Sequence, residues 1–216
     1  PYASIMSGTR MGKANRVFQG AVLGAEPQDF HYKGGDTLCV IGDNNVIREN
    51  VVVNRATYAD GQTQIGNNSF LHEGVHICHD TKVGNHCVLG YGCKVSGNCV
   101  IEDCVIFGGN ILMSQGTRVG RWAMVQTGCR FRKDVPPYII GAGEPTVYHG
   151  VNAVVMAHEG FSEKIIKHIS HAYRILFQSN TSVLDALFMI KDQVPMSEEI
   201  QHILDFVEAS KLGVIR

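Results

Sequence analysis

The chain has 216 residues and a formal net charge of −1, with 44% hydrophobic residues, 8% aromatics and 24 glycines. This near-balanced charge leaves no electrostatic footprint for nucleic acid, and no apolar run approaches the roughly 18–20 residues that carry a helix across a bilayer. No signal peptide is present, so a cytoplasmic location is expected, and the odd number of cysteines, 7, argues against a disulfide framework.

The first predicted element occupies more than half of the chain. Counting in sixes from Ile5 to Phe131 meets an apolar residue at all but two of 22 positions, the exceptions being Asp29 and Gly35. Helices repeat near 3.6 residues and strands at 2. A bare six-residue period is the signature of a parallel β-helix whose coils stack on one another. Three hexads make one triangular coil of 18 residues, and successive coils lie about 4.8 Å apart. Helices of this class coil left-handed, against the usual crossover rule. The expected fold is therefore mainly β: a left-handed parallel β-helix of hexapeptide repeats over residues 1–135, with a C-terminal α-helical cap. The chain opens in mid-repeat at Pro1, so N-terminal coils are expected to be missing.

Two stretches, 25–38 and 54–62, are polar and rich in Gly, yet the six-residue phase survives across both. They read as loops extruded from the coil, where function usually sits. Cys39, Cys87, Cys93, Cys99 and Cys129 share one phase with Ala21, Val51, Thr63 and Ser69. That phase is a small inward position, so these thiols are expected to be core filler rather than metal ligands or nucleophiles.

Lys133-Asp134-Val135-Pro136-Pro137 is expected to stop the repeat. Over 150–216 the period becomes helical. Ser162, Ser182 and Ser197 are expected to cap three amphipathic helices, the last ending near Gly213.

The densest histidine cluster, Leu71 to Asp80, lies inside the unbroken repeat, so its neighbours can be derived by adding 18. His79, Gly97 and Gln115 fall in one column, and His76, Lys94 and Leu112 in a second. Ile77 points inward, and His76 and His79 are expected to project outward beside it. Histidine titrates near neutral pH and suits proton abstraction from a hydroxyl. Asp80 is placed to orient the ring, and a Gly97 amide one coil away could stabilise an oxyanion. Base and oxyanion donor on adjacent coils suit acyl transfer. A zinc site built from His76, His79 and His86 is the competing reading, but its spacing matches no metal signature.

Pro27-Gln28-Asp29, Ile47-Arg48-Glu49-Asn50, His76-Ile77-Cys78-His79-Asp80, Asp134-Val135-Pro136-Pro137-Tyr138, Gly150-Val151-Asn152 and Gly213-Val214-Ile215-Arg216 together resemble the acyl-ACP:UDP-N-acetylglucosamine O-acyltransferases of lipid A biosynthesis. The resemblance covers essentially the whole chain. It implies a homotrimer with active sites in clefts between β-helices, acyl carrier protein and UDP-N-acetylglucosamine as partners, and no cofactor or metal. By that resemblance His79 is the general base, Asp80 its neighbour and Gly97 the oxyanion donor. Asp29, His31, His76, Asn98, Gln115, Asn152 and His158 would meet substrate, and Thr127 would limit acyl-chain length. The chain departs from the family pattern in several places. His31 stands where Lys is frequent, Asn54, Asn98 and Ser114 where His is found, and His158 where Arg is found. The alternatives are a related hexapeptide N-acyltransferase, a sugar O-acetyltransferase, a zinc hydratase or a non-catalytic β-helix scaffold.

Overall fold

The computed structural model describes residues 1–178 and 181–216. It is a left-handed parallel β-helix carrying a helical cap. Short strands stack into three faces of seven, six and eight strands. Each coil crosses the first face (for example His76–Ile77), then the second (Lys82–Val83), then the third (Val88–Leu89). The 18-residue step is explicit in the register, His76 pairing with Lys94 and Val88 with Ile106.

Two coils are longer. Val22 pairs with Val52, a step of 30, and Val52 with His76, a step of 24. The surplus over 18 is 12 in one coil and 6 in the other, which is why the sequence phase survives. The excursions lie between the strands Val22–Ala25 and Leu38–Ile41, and between Val52–Asn54 and Gln62–Ile65. Ala59, counted above in the inward series, belongs to the second excursion and is exposed. Ile5, in the first coil, is 52% exposed. The remaining series residues from Leu23 onward line the core, together with Cys39, Cys87, Cys93, Cys99 and Cys129. Burial pushes the Cys39 and Cys87 thiols up to about 12, so these two are inert packing groups.

The corners explain the Asn- and Gly-rich composition. Asn44, Asn68, Asp80, Asn98 and Asn110 hold left-handed backbone with φ of 56–58°, which Asn, Asp and Gly tolerate best. On the edge between the second and third faces, side chains tie coil to coil. The amides of Lys13, Asp43, Asn67 and Asn85 donate to Asp43, Asn67, Asn85 and Asp103 of the next coil, at 2.6, 2.7, 2.9 and 2.6 Å.

β structure continues past the expected stop. Val135 bridges Val119, and the strand Ile139–Ala142 extends the third face before pairing antiparallel with Val147–Val151. The register here shortens, Met124 pairing with Ile140, a step of 16. This loss of phase hid the segment in the sequence. Pro136-Pro137 turns the last corner, with Pro137 packed against Gly120.

Among the described residues four helices follow rather than three: α1 (Ala153–His158), α2 (Glu163–Gln178), α3 (Val183–Gln193) and α4 (Glu198–Glu208). The six residues of α1 are too few to show a period. Ser182 and Ser197 accept from the Asp185 and Ile200 amides as N-caps, and Ser162 Oγ accepts from the Ile165 amide. The cap shares one continuous core with the β-helix. Buried Asp134 is its clasp. It accepts from the Arg118 and Ser210 side chains, and its backbone exchanges hydrogen bonds with Gly213 and Ile215.

Candidate active site

His79 sits on the edge between the first and second faces, at the second residue after the inward Ile77. Only 7% of it is exposed, so the ring lies against the wall rather than projecting freely outward. Gly97 is directly above, as the 18-residue step requires, and the Asn98 amide donates to the His79 carbonyl at 3.0 Å. A β-carbon at Gly97 would overlap the imidazole. Glycine is thus required here for close approach rather than for a turn.

Three segments fix the ring. Its Nδ1 lies 2.8 Å from Asp80 Oδ2, and its Nε2 lies 3.4 Å from Asp29 Oδ2. With Asp80 accepting at Nδ1, the proton rests there and Nε2 carries the lone pair. Asp80 is itself held, because its carboxylate accepts the Thr57 amide at 3.1 Å and its own amide donates to Thr63 Oγ1 at 2.8 Å. Thr57 lies in the second excursion, which therefore braces the residue that orients His79.

The first excursion brings Asp29. His31 caps the outer carboxylate oxygen through its backbone amide, at 2.8 Å, and through Nδ1, at 2.7 Å. These two bonds, the backbone one first, hold the Asp29 carboxyl below the usual range and leave Oδ2 facing His79. Arg55 joins the two excursions, donating to Glu26 and to the Tyr32 hydroxyl. Arg55, Thr57 and Thr63 were missed in the sequence reading; the one available signal was that both interruptions lie just before the histidine cluster.

His76 lies on the first face beside this edge, with Lys94 and Leu112 above it as derived. Its Nε2 meets Asn54 Oδ1 at 2.7 Å, and Asn54 donates to the Glu26 carbonyl at 2.7 Å. Burial, and then the positive charge of Lys94, lower the His76 pKa. Asn54, 1% exposed, thus pins the base of the first excursion to the histidine cluster.

The His79 edge differs from the one that carries the Asn and Asp ladder. Positions 97 and 115 there are Gly and Gln, and among the described residues no acceptor meets the amide of His79 or Gly97. An unengaged N–H one coil above a histidine base can receive developing negative charge.

The other predicted residues spread over the prism. Asn98 and Gln115 are exposed on or next to the His79 edge. Thr127 stands on a different edge, across the first face, where its hydroxyl accepts the Gly109 amide at 3.2 Å. Asn152 is 2% exposed and donates to the Trp122 carbonyl at 2.9 Å. His158 ends α1, exposed, beside Glu159. Within one protomer the structure gathers Asp29, His31, His76, His79, Asp80 and Gly97, and leaves Thr127, Asn152 and His158 apart from them. Among the described residues no group of three or more His, Cys, Asp or Glu is placed to hold a metal ion.

Comparison with known proteins agrees with this arrangement. Residues 62–97 match the family described as bacterial transferase hexapeptide (six repeats), and residues 134–215 match Udp N-acetylglucosamine O-acyltransferase, Domain 2. The acyl-[acyl-carrier-protein]–UDP-N-acetylglucosamine O-acyltransferase of Halorhodospira halophila is 36% identical over 209 residues, 96% of this chain and 81% of that protein. The crystal structure of LpxA, a UDP-N-acetylglucosamine acyltransferase from Bacteroides fragilis, is 48% identical with a TM-score of 0.98, over 100% of this chain and 84% of that one. LpxA from Acinetobacter baumannii is 30% identical with a TM-score of 0.90, over 100% of this chain and 96% of that one. The hexapeptide coil, the two excursions over the histidine edge and the clasped helical cap therefore belong together: this chain is a member of the acyl-[acyl-carrier-protein]–UDP-N-acetylglucosamine O-acyltransferase family.

Proposed function

We propose that the protein transfers a (3R)-hydroxyacyl group from acyl carrier protein to the glucosamine 3-hydroxyl of UDP-N-acetylglucosamine, the first step of lipid A biosynthesis, in the cytoplasm and without a cofactor. One observation carries this reading: a histidine locked into one tautomer by Asp80, beneath an unengaged Gly97 amide. The acceptor hydroxyl enters beside Nε2, where the Asp29 carboxylate also faces. His79 takes its proton as the oxygen attacks the thioester carbonyl. The Gly97 amide donates to the oxyanion, which then collapses, breaks the C–S bond and expels the carrier thiolate. The proton on His79 passes to that thiolate, so the base is restored at each turnover.

His31, His76, Asn98 and Gln115 surround this position and are assigned to the sugar nucleotide. Asn152 and His158 would act across a subunit boundary, as would Thr127 on the acyl chain. A homotrimer is supported by the third face. Val46, Phe70, Val88, Ile106 and Met124 stand in register on its outer side, forming an apolar stripe over five coils. Each is only partly covered within one chain, and stripes of this kind mark interfaces.

The test is incubation with UDP-N-acetylglucosamine and a panel of hydroxyacyl carriers of graded length, with mass spectrometry of the product. One O-acylated sugar nucleotide of defined chain length is expected. His79→Ala should lower turnover by about 10²–10⁴-fold; near wild-type turnover would overturn the base assignment.

A further inference from the structure

The excursion that carries Asp29 is bonded mostly to itself. His31 and Tyr32 donate their amides back to Asp29, and Lys33 Nζ donates to the Phe30 carbonyl. At its base, the carbonyls of Ala25 and Glu26 accept from the Arg55 amide and the Asn54 side chain. Beyond Glu26, residues 27–36 make one hydrogen bond to the rest of the chain among the described residues, from Arg55 Nη2 to the Tyr32 hydroxyl at 2.6 Å. Phe30, next to Asp29, is 99% exposed, so no apolar packing holds the tip there. The guanidinium is itself fixed. The Arg55 side chain is only 12% exposed, Nη1 donates to the Ser7 carbonyl at 3.2 Å, and Nη2 also reaches Glu26 at 3.2 Å. Glu26 and Tyr32 lie three residues to either side of Asp29, so one side chain grips both flanks of the carboxylate.

We infer that Arg55 is a positioning residue for acyl transfer: through Tyr32 and Glu26 it holds the Asp29 carboxylate opposite His79 Nε2, where the acceptor hydroxyl is activated. The inference rests on the acyl-transfer reading above and adds the residue that sets the acceptor side of the site. Arg55 itself makes no hydrogen bond or ion pair to Asp29 or His79 among the described residues. Its partner Glu26 is 71% exposed, where an ion pair contributes little, so the bond to Tyr32 carries the tether. Thr57, two residues on, donates its amide to Asp80. Both carboxylates that face the imidazole are therefore set from the second excursion. A carboxylate on an untethered loop loses its place beside Nε2, and a misplacement of about 1 Å can cost about 10²-fold in rate.

Two variants test it: Arg55→Met, which keeps the apolar stem, and Tyr32→Phe, which deletes only the hydroxyl. In both, kcat/KM for UDP-N-acetylglucosamine should fall about fivefold or more. The KM for the acylated carrier should stay at the wild-type value, a split that general loosening of the coil would not give. Each variant combined with Asp29→Asn should lose less than about twofold beyond Asp29→Asn alone, because residues that act through one another are not additive. A smaller fall for Tyr32→Phe, an equal rise in both KM values, or losses that multiply with Asp29→Asn overturn the proposal. A crystal structure of Tyr32→Phe needs no turnover. Asp29 displaced from His79 over an unchanged β-helix sustains the tether even if the acyl-transfer reading fails. Asp29 still at the wild-type separation of 3.4 Å overturns it.

Discussion

His79 Nδ1 lies 2.8 Å from Asp80 Oδ2, and that same oxygen accepts the Thr57 amide at 3.1 Å. The orientation of His79 thus depends on a backbone N–H in the second excursion, supplied through Asp80.

This chain of contacts separates two substitutions at one residue. The Thr57 hydroxyl is buried with no hydrogen-bond partner among the described residues, so Thr57→Ala removes nothing that Asp80 uses and should leave kcat near wild type. Thr57→Pro deletes the N–H and should lower kcat between about 10- and 100-fold through misplacement of the base. Asp80→Asn should be more severe, about 10²-fold or greater, because the amide no longer fixes the proton on Nδ1. Steady-state kinetics on the three variants gives the order; a Thr57→Ala enzyme as impaired as Thr57→Pro would contradict it.

Gly97→Ala should be inactive while still folded. The new methyl would overlap the His79 ring, which lies outside the continuous apolar core, so the displacement falls on the ring and its carboxylate partners rather than on the core. A loss of kcat of about 10²-fold or more with an unchanged melting profile is expected. Retained activity would mean that Gly97 is not in contact with a working base.

Ile106→Glu places a charge in the middle of the apolar stripe on the third face. Light scattering coupled to size exclusion should show the proposed trimer for wild type and a monomer for the variant, and acyl transfer should fall with it. A trimeric variant would assign the stripe to some other contact.

His76 titrates below the ordinary 6.5, first because it is buried and second because Lys94 is near. An unfolded chain binds this proton near 6.5 and the folded one only at lower pH. The contribution of His76 to stability is therefore level above that pH and declines as pH falls from 6.5 towards the folded value. Imidazole NMR should place the His76 midpoint below 6.5, and Lys94→Met should move it upward.

Much of this was legible in the sequence because the fold is periodic. Once Ile77 is known to point inward, the 18-residue step places Gly97 over His79 without further information. The same arithmetic failed where the period was broken. Ala59 fell on the count but sits in an excursion, and the strand Ile139–Ala142 was hidden by a 16-residue step. The contacts of Asp29 and Thr57 were invisible for a related reason. A loop's phase says where it leaves and re-enters the wall but not where its tip lands, and Asp29 reaches Nε2 only through the fold of the first excursion. Thr127, Asn152 and His158 came from resemblance alone, and one protomer does not bring them to the edge that His79 occupies.

The ladder of Asn and Asp side chains has a consequence for how such a site arises. A stacked coil presents the same backbone socket at every corner, and on the edge between the second and third faces the ladder plugs it from the coil above. On the His79 edge the plug is absent, and the vacant socket faces a base. In the proposed mechanism no dedicated loop or helix terminus is needed to supply the oxyanion donor; a corner amide that the coil leaves without an acceptor supplies it. Putting an acceptor side chain at position 97, as in Gly97→Asn, would supply the plug for the His79 amide while crowding the imidazole. Repair of the lattice and loss of the enzyme would then be the same event.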